Sequence, residues 1–363
     1  MYDVVLLALG SDRPAPGGCG SGVCCGAGTG EVDPRTGAAD ARAGDPHPAG
    51  ADDACAAGPG TGDACADAPR VPVLACADAL SAAGARVSTV TARSDAEIDA
   101  VLARLDGPPR ADGLAWPDDD GKTRLVVAAA SDGQLRAVLR RLVRRYAPPP
   151  SRRPADLAGN RTVADLPAIG LLPLEPARAT GSRPADLIAQ LGLPRTPAEV
   201  ARAVLAGRVR RLDLLRNDGG SVTLDGALIG GADETGAPRP WQGRVEVDGT
   251  VLSTGDEGVL ACVVGNAGGY AEVEGAPLLR GADPADGLVE VAVAVPVLTR
   301  SGWTRRRRVR LEIRRGRGRA VAINPRTERV PYLDDGVAGE LTRKRSWWVE
   351  PGAWAVFDPD GVG

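Results

Sequence analysis

One histidine, one phenylalanine and one methionine occur in 363 residues, and each scarcity excludes something. His47 lies alone in a Gly/Pro/Asp-rich stretch. That removes serine-hydrolase triads, multi-histidine zinc sites and histidine acid–base work, so any proton chemistry falls to carboxylates. Aromatics make up 3% of the chain, so the core must be built from Val, Leu, Ile and Ala. Lysine is nearly absent: Lys122 and Lys344 stand among 44 basic residues. With abundant Ala, Gly and Pro, that arginine bias reads as GC-rich codon usage. No uncharged apolar run reaches the ~18 residues a membrane-spanning helix needs, and the start, MYDVVLLALGSDRP, lacks a signal peptide's basic region. The expectation is a cytoplasmic protein.

Charge is uneven around a total of −3. Residues 1–122 carry 19 acidic against 9 basic residues, and residues 300–345 carry 15 basic against 5 acidic. The basic strands around Arg305, Arg306, Arg307 and Arg308, with Trp347 and Trp348 following Arg343-Lys344-Arg345, suit an anionic membrane surface or a charged, protected sheet edge. No nucleic-acid recognition module surrounds them, and the oligomeric state is not legible.

Along the chain, Val4–Leu9 reads as a strand. The segment at about 10–70 has no hydrophobic periodicity and reads as a Gly/Cys-rich insertion or long loop. Six of the seven cysteines precede residue 77. Cys19, Cys24 and Cys25 are thiolate candidates for zinc, an iron–sulfur cluster or disulfide exchange, although no C-x2-C pair is present. Cys76 and Cys262 fall in an apolar helix and strand and read as core thiols. A helix at about Val71–Ala83, a strand at Arg86–Thr91, a capped helix from Ser94, a buried strand at Leu125–Ala130, a helix to Tyr146 and a strand at Ala168–Leu172 alternate as in an open parallel sheet. Thr196-Pro197-Ala198-Glu199 caps one more helix, ending at Gly207. Short alternating strands follow, with Asp218-Gly219 and Asp248-Gly249 as hairpin turns. The expected organisation is an α/β domain over 1–172, crossover helices over 173–207 and a mostly antiparallel β-sandwich over 208–363.

The order of short motifs resembles the bacterial diacylglycerol kinase-like lipid kinases, the superfamily that includes sphingosine kinases. The strand Leu125–Ala130 with Ser131-Asp132-Gly133-Gln134 occupies the place of the family's strand and Gly-Gly-Asp-Gly-Thr nucleotide loop. Ile169–Leu174 resembles the strand into a second glycine loop, Ala203–Leu214 the crossover, and Gly265–Gly269 an Asn/Gly-rich turn. Ala282–Val291 resembles the Asp-Gly-Leu segment that holds a structural Mg²⁺, here through Asp283, Asp286 and Leu288. Leu333–Val337 resembles the catalytic Asp-Gly-Glu motif.

The resemblance implies an ATP- and Mg²⁺-dependent kinase of a lipid hydroxyl, with Ser131, Asp132 and Gly133 at the nucleotide and Asp132 and Asp335 as catalytic carboxylates. The departures are specific. Ala130 and Ser131 replace two loop glycines, Glu175-Pro176-Ala177-Arg178 replaces the second loop, and Val337 stands in place of the general-base glutamate. Two alternatives follow: a catalytically inactive lipid-kinase fold that binds a lipid or protein partner, and a metal- or redox-responsive regulator working through the N-terminal cysteines.

Overall fold

A computed structural model describes residues 2–10, 71–118, 120–176, 179–180, 183–184, 186–232, 238–268, 272–273, 276–300 and 307–360. Cys19, Cys24, Cys25, His47, Ala177, Arg178, Arg305 and Arg306 lie outside these residues.

The parallel half is built as the apolar runs require. Strands β1 (Asp3–Leu9), β2 (Arg86–Ala92), β3 (Thr123–Ala129) and β4 (Ala168–Pro173) pair in parallel in the order β4-β3-β1-β2. Helices α1 (Val71–Ala82), α2 (Asp95–Leu102), α3 (Asp132–Tyr146), α4 (Leu187–Gln190) and α5 (Pro197–Ala206) complete this part. Continuous apolar strands need cover on both faces. In β1, alternate side chains meet that need in opposite directions. Val5 and Leu7 join the cluster containing α3's Leu135, Val138, Leu139 and Leu142. Val4 and Leu6 join the opposite cluster with α1 and α5 residues such as Leu80 and Val204. Gly207 ends α5 in the left-handed conformation (φ 72°), where a glycine meets no Cβ penalty.

A separate six-stranded antiparallel sheet has the order Arg307–Gly318, Val289–Arg300, Ala261–Gly265, Gly226–Ile229, Val330–Asp334, Val337–Leu341. The larger sheet also extends beyond β4. Arg345–Phe357 pairs in parallel with β4 and antiparallel with Val209–Asn217 and Ala320–Pro325, and Gly243–Val247 and Thr250–Thr254 continue it outward. Trp354–Phe357 is thus the end of a 13-residue strand. An irregularity between Glu350 and Trp354, at Pro351-Gly352, hides that continuity from the sequence.

Asp248-Gly249 makes the anticipated tight turn, both residues at positive φ. Asp218-Gly219 instead sits in a longer loop, because the Asn217 carboxamide accepts the N–H groups of Gly219 and Ser221 and spreads it. Cys76 and Cys262 are buried free thiols, and burial pushes Cys76 up to about 11.

Candidate functional site

The sequence from β3 into α3 creates the first element of the site. Ser131 caps the helix, its hydroxyl accepting the Gln134 N–H, and the Gln134 side chain reaches back to accept the Ala130 N–H at 2.7 Å. Two N–H groups of this loop are therefore held by its own side chains. Asp132 turns toward α4, where its carboxylate accepts the Leu187 N–H at 3.2 Å. Burial pushes Asp132 up to about 6 against the pull of the Leu187 N–H and Arg195, and Asp186 adds to the rise.

The second element is the hairpin Val330–Asp334/Val337–Leu341. Asp335 and Gly336 occupy its turn at φ 47° and 78°, the left-handed pair that a two-residue hairpin of Asp-Gly type adopts. The turn lies over Gly133, at the start of α3. A Cβ added to Gly133 would come within 2.8 Å of Val337 Cγ2 and 3.4 Å of the Asp335 carbonyl oxygen. Val337, which the resemblance sets in the place of a general base, therefore presents a methyl group to Gly133.

Asp335 is buried, and its carboxylate accepts three backbone N–H groups: Leu224 at 2.8 Å, Asp225 at 2.9 Å and Gly226 at 3.2 Å. Burial raises its carboxyl well above the usual range, Asp334 adding to the rise. Asp334, also buried, accepts from the Thr223 hydroxyl at 2.7 Å and from Arg136 at 2.5 Å. Arg136 projects from α3 and also donates to the Val222 carbonyl and the Ser221 hydroxyl. One guanidinium thus fastens α3 to the β-rich part of the chain. Sequence reasoning missed Arg136, since one arginine in an Arg-rich helix carries no distinguishing signal.

The third element surrounds Asp225, between Val222–Thr223 and Gly226–Ile229. It is 2% exposed. Gln190 of α4 donates to it at 3.1 Å, and burial pushes its carboxyl up to about 7 despite that bond, with Asp132 contributing. The break at Leu224-Asp225 divides what reads in sequence as one strand over Ser221–Ile229. A carboxylate in an apolar run was the available signal, there and at Asp213 in Leu212–Leu215.

Asp283, Asp286 and Leu288 lie in one turn, with Asp213 facing them. Asp283 accepts the Ala285 N–H, and Asp286 accepts the Leu288 N–H at 2.8 Å. The other Asp286 oxygen is ion-paired with Arg317. Asp213 accepts Gly287 N–H at 2.6 Å and Gly352 N–H at 2.7 Å, tying the turn to the last strand. A guanidinium therefore occupies the carboxylate that the resemblance assigns to Mg²⁺. Among the described residues no three His, Cys, Asp or Glu side chains group to hold a metal ion. Where the second glycine loop would stand, the Glu175 carbonyl oxygen accepts from Arg195 at 3.4 Å. Of the basic surface, Arg307 and Arg308 begin the strand Arg307–Gly318.

A cavity of about 460 Å³ adjoins this region, lined by Gln190, Leu191, Arg210, Leu212, Ala267 and Gly268 on one side and by residues 282–285 on the other. It mixes Leu191, Leu212 and Ala267 with Gln190, Arg210 and Asp283, and its volume lies in the small-molecule range.

No protein-family model matches the chain, and no curated protein is similar to it. Solved structures are. A diacylglycerol kinase from Bacillus anthracis str. Sterne superposes with a TM-score of 0.51 at 13% identity, covering 80% of this chain and 93% of that one. A putative diacylglycerol kinase from the same organism gives a TM-score of 0.53 at 14% identity, covering 80% and 92%. The chain therefore has the diacylglycerol kinase-like fold.

Proposed function

We propose that this chain is a binding protein built on the lipid-kinase fold, taking an amphipathic ligand of the lipid class without transferring a phosphoryl group to it. The observation that carries the reading is the seating of the Asp335–Val337 turn on Gly133. A phosphate cradle works by offering backbone N–H groups that nothing else uses. Here Gln134 and Ser131 use two of them, and a valine methyl rests against the loop.

The remaining groups fit nucleotide and magnesium poorly. Asp132 is engaged with Leu187, and Asp286 with Arg317. Asp335 accepts three N–H groups and serves the turn rather than a substrate hydroxyl, whose proton a base must reach within hydrogen-bond distance. The cavity beside Gln190 and Leu212 offers the ligand a place independent of the nucleotide loop.

Two measurements test this. Calorimetry with Mg·ATP is expected to give no binding at micromolar concentrations, and incubation of diacylglycerol vesicles with labelled ATP to give no phosphorylated lipid. A low-micromolar dissociation constant together with turnover lost on replacing Asp132 with Asn would establish an active kinase instead.

A further inference from the structure

Among the described residues, the buried side-chain oxygens left without a hydrogen-bond partner are Gln190 Oε1, Asp225 Oδ1 and Asn266 Oδ1. Their residues are linked by hydrogen bonds. Gln190 Nε2 donates to Asp225 Oδ2 at 3.1 Å, and the Asn266 N–H donates to the Asp225 carbonyl at 2.8 Å. The Asn266 carboxamide is held in place by donating to the Asp213 and Leu224 carbonyls, each at 2.9 Å. Its own oxygen is the group left over. Asp225 and Asn266 are 2% and 0% exposed, so bulk solvent does not reach these two side chains.

Buried polar atoms are paired in the great majority of cases, and an exception calls for an ordered water or an ion. Three unpaired acceptors on residues that hydrogen-bond to one another, one of them a carboxylate, point to a positively charged occupant. The other unpaired buried atoms are nitrogens on other residues, so the shortage of donors is local.

We propose that Asp225, Gln190 and Asn266 bind a hard cation, of the calcium or potassium class, at the seam where α4 meets the strands flanking Asp225. A carboxylate with two amide oxygens is a hard-oxygen donor set, and the flexible coordination of calcium accepts such a mixture. Magnesium retains several waters, which sealed oxygens leave little room for. No thiolate or imidazole is present to favour a softer transition metal. The cation would neutralise a carboxylate that has one side-chain donor and would join α4 to the loop after Ala261–Gly265. The ligand cavity borders both, through Gln190 and Ala267. This inference stands apart from the proposed function, since it concerns neither the nucleotide loop nor turnover.

The test uses the full chain, freed of metal and exchanged into choline chloride, a cation too large for the cluster. Calcium chloride and potassium chloride are then titrated separately while thermal unfolding is followed. One of the two is expected to raise the melting temperature saturably, with an apparent dissociation constant in the millimolar range or tighter, and the arm that responds identifies the cation. Asp225→Asn is expected to weaken that response at least about tenfold. Should that variant fail to fold, Gln190→Ala, at a half-buried position, is expected to weaken the response in the same direction. The proposal is overturned if neither salt exceeds choline, or if a saturable response survives unchanged in the folded variants. In the first case the cluster holds a water.

Discussion

Asp335 is the residue whose chemistry differs most from its motif. An aspartate at positive φ in an Asp-Gly turn needs only its backbone to make the hairpin, yet here its carboxylate gathers the N–H groups of Leu224, Asp225 and Gly226. Asp335→Ala removes those acceptors and leaves buried donors unpaired, an expected loss of about 2–4 kcal/mol in urea unfolding. Asp335→Asn keeps one acceptor oxygen and the left-handed preference, so it should lose less. The same carboxylates set a pH dependence. Burial raises Asp334 to about 6, above its value in the unfolded chain, and raises Asp335 well above the usual carboxylate range. Between about pH 4 and 6 the folded state then holds more protons than the unfolded state, so stability is greatest at the acid end and falls as pH rises through this window. Denaturant midpoints across that range should show the decline, and Asp334→Asn should flatten it.

At the scale of elements, the contact between α3 and the hairpin joins the two halves of the candidate site. Gly133 has room for no Cβ: Gly133→Ala meets Val337 at 2.8 Å and should cost about 1–3 kcal/mol from overpacking, although alanine is the better helix former. Adding Val337→Ala should restore most of the loss, because the obstructing methyl is then gone. A double-mutant cycle by chemical denaturation measures this coupling, and additivity would show that the turn does not rest on the loop. Arg136→Met leaves the Asp334 carboxylate buried without its guanidinium and should cost about 3–5 kcal/mol. The engineered pair Arg136→Met with Asp334→Leu should cost less than Arg136→Met alone.

For the whole molecule, the charge gradient yields a separate expectation. Fifteen basic residues against five acidic ones lie within 300–345, and no helix among the described residues is long and apolar enough to cross a membrane. Each basic residue near an anionic bilayer contributes about 1 kcal/mol, an attraction screened over ~10 Å at 0.1 M salt. Flotation with phosphatidylserine vesicles at low salt should recover the protein. Zwitterionic vesicles should not, and replacing Arg305–Arg308 with Ser should reduce recovery. An entirely unbound protein at low salt would reduce this surface to a charged sheet edge.

The alternation of apolar strands with capped helices is local in origin, so it was readable from Val4 to Leu9 and from Val71 to Gly207: periodicity and caps depend on residues within a few turns. The motif order likewise disclosed the diacylglycerol kinase-like fold, and short motifs put Asp132, Asp286 and Asp335 forward as candidates because they carry their own spacing. What those positions do was decided by residues far away in sequence. Leu187 engages Asp132, Arg317 engages Asp286, and three N–H groups more than a hundred residues upstream engage Asp335. The strand Arg345–Phe357 pairs with partners from three regions of the chain, which no local pattern specifies. Composition and periodicity determine which segments are buried. Only the tertiary structure decides which buried carboxylates find donors and which, like Asp225, retain an oxygen without one, because hydrogen-bond satisfaction is a property of the assembled neighbourhood.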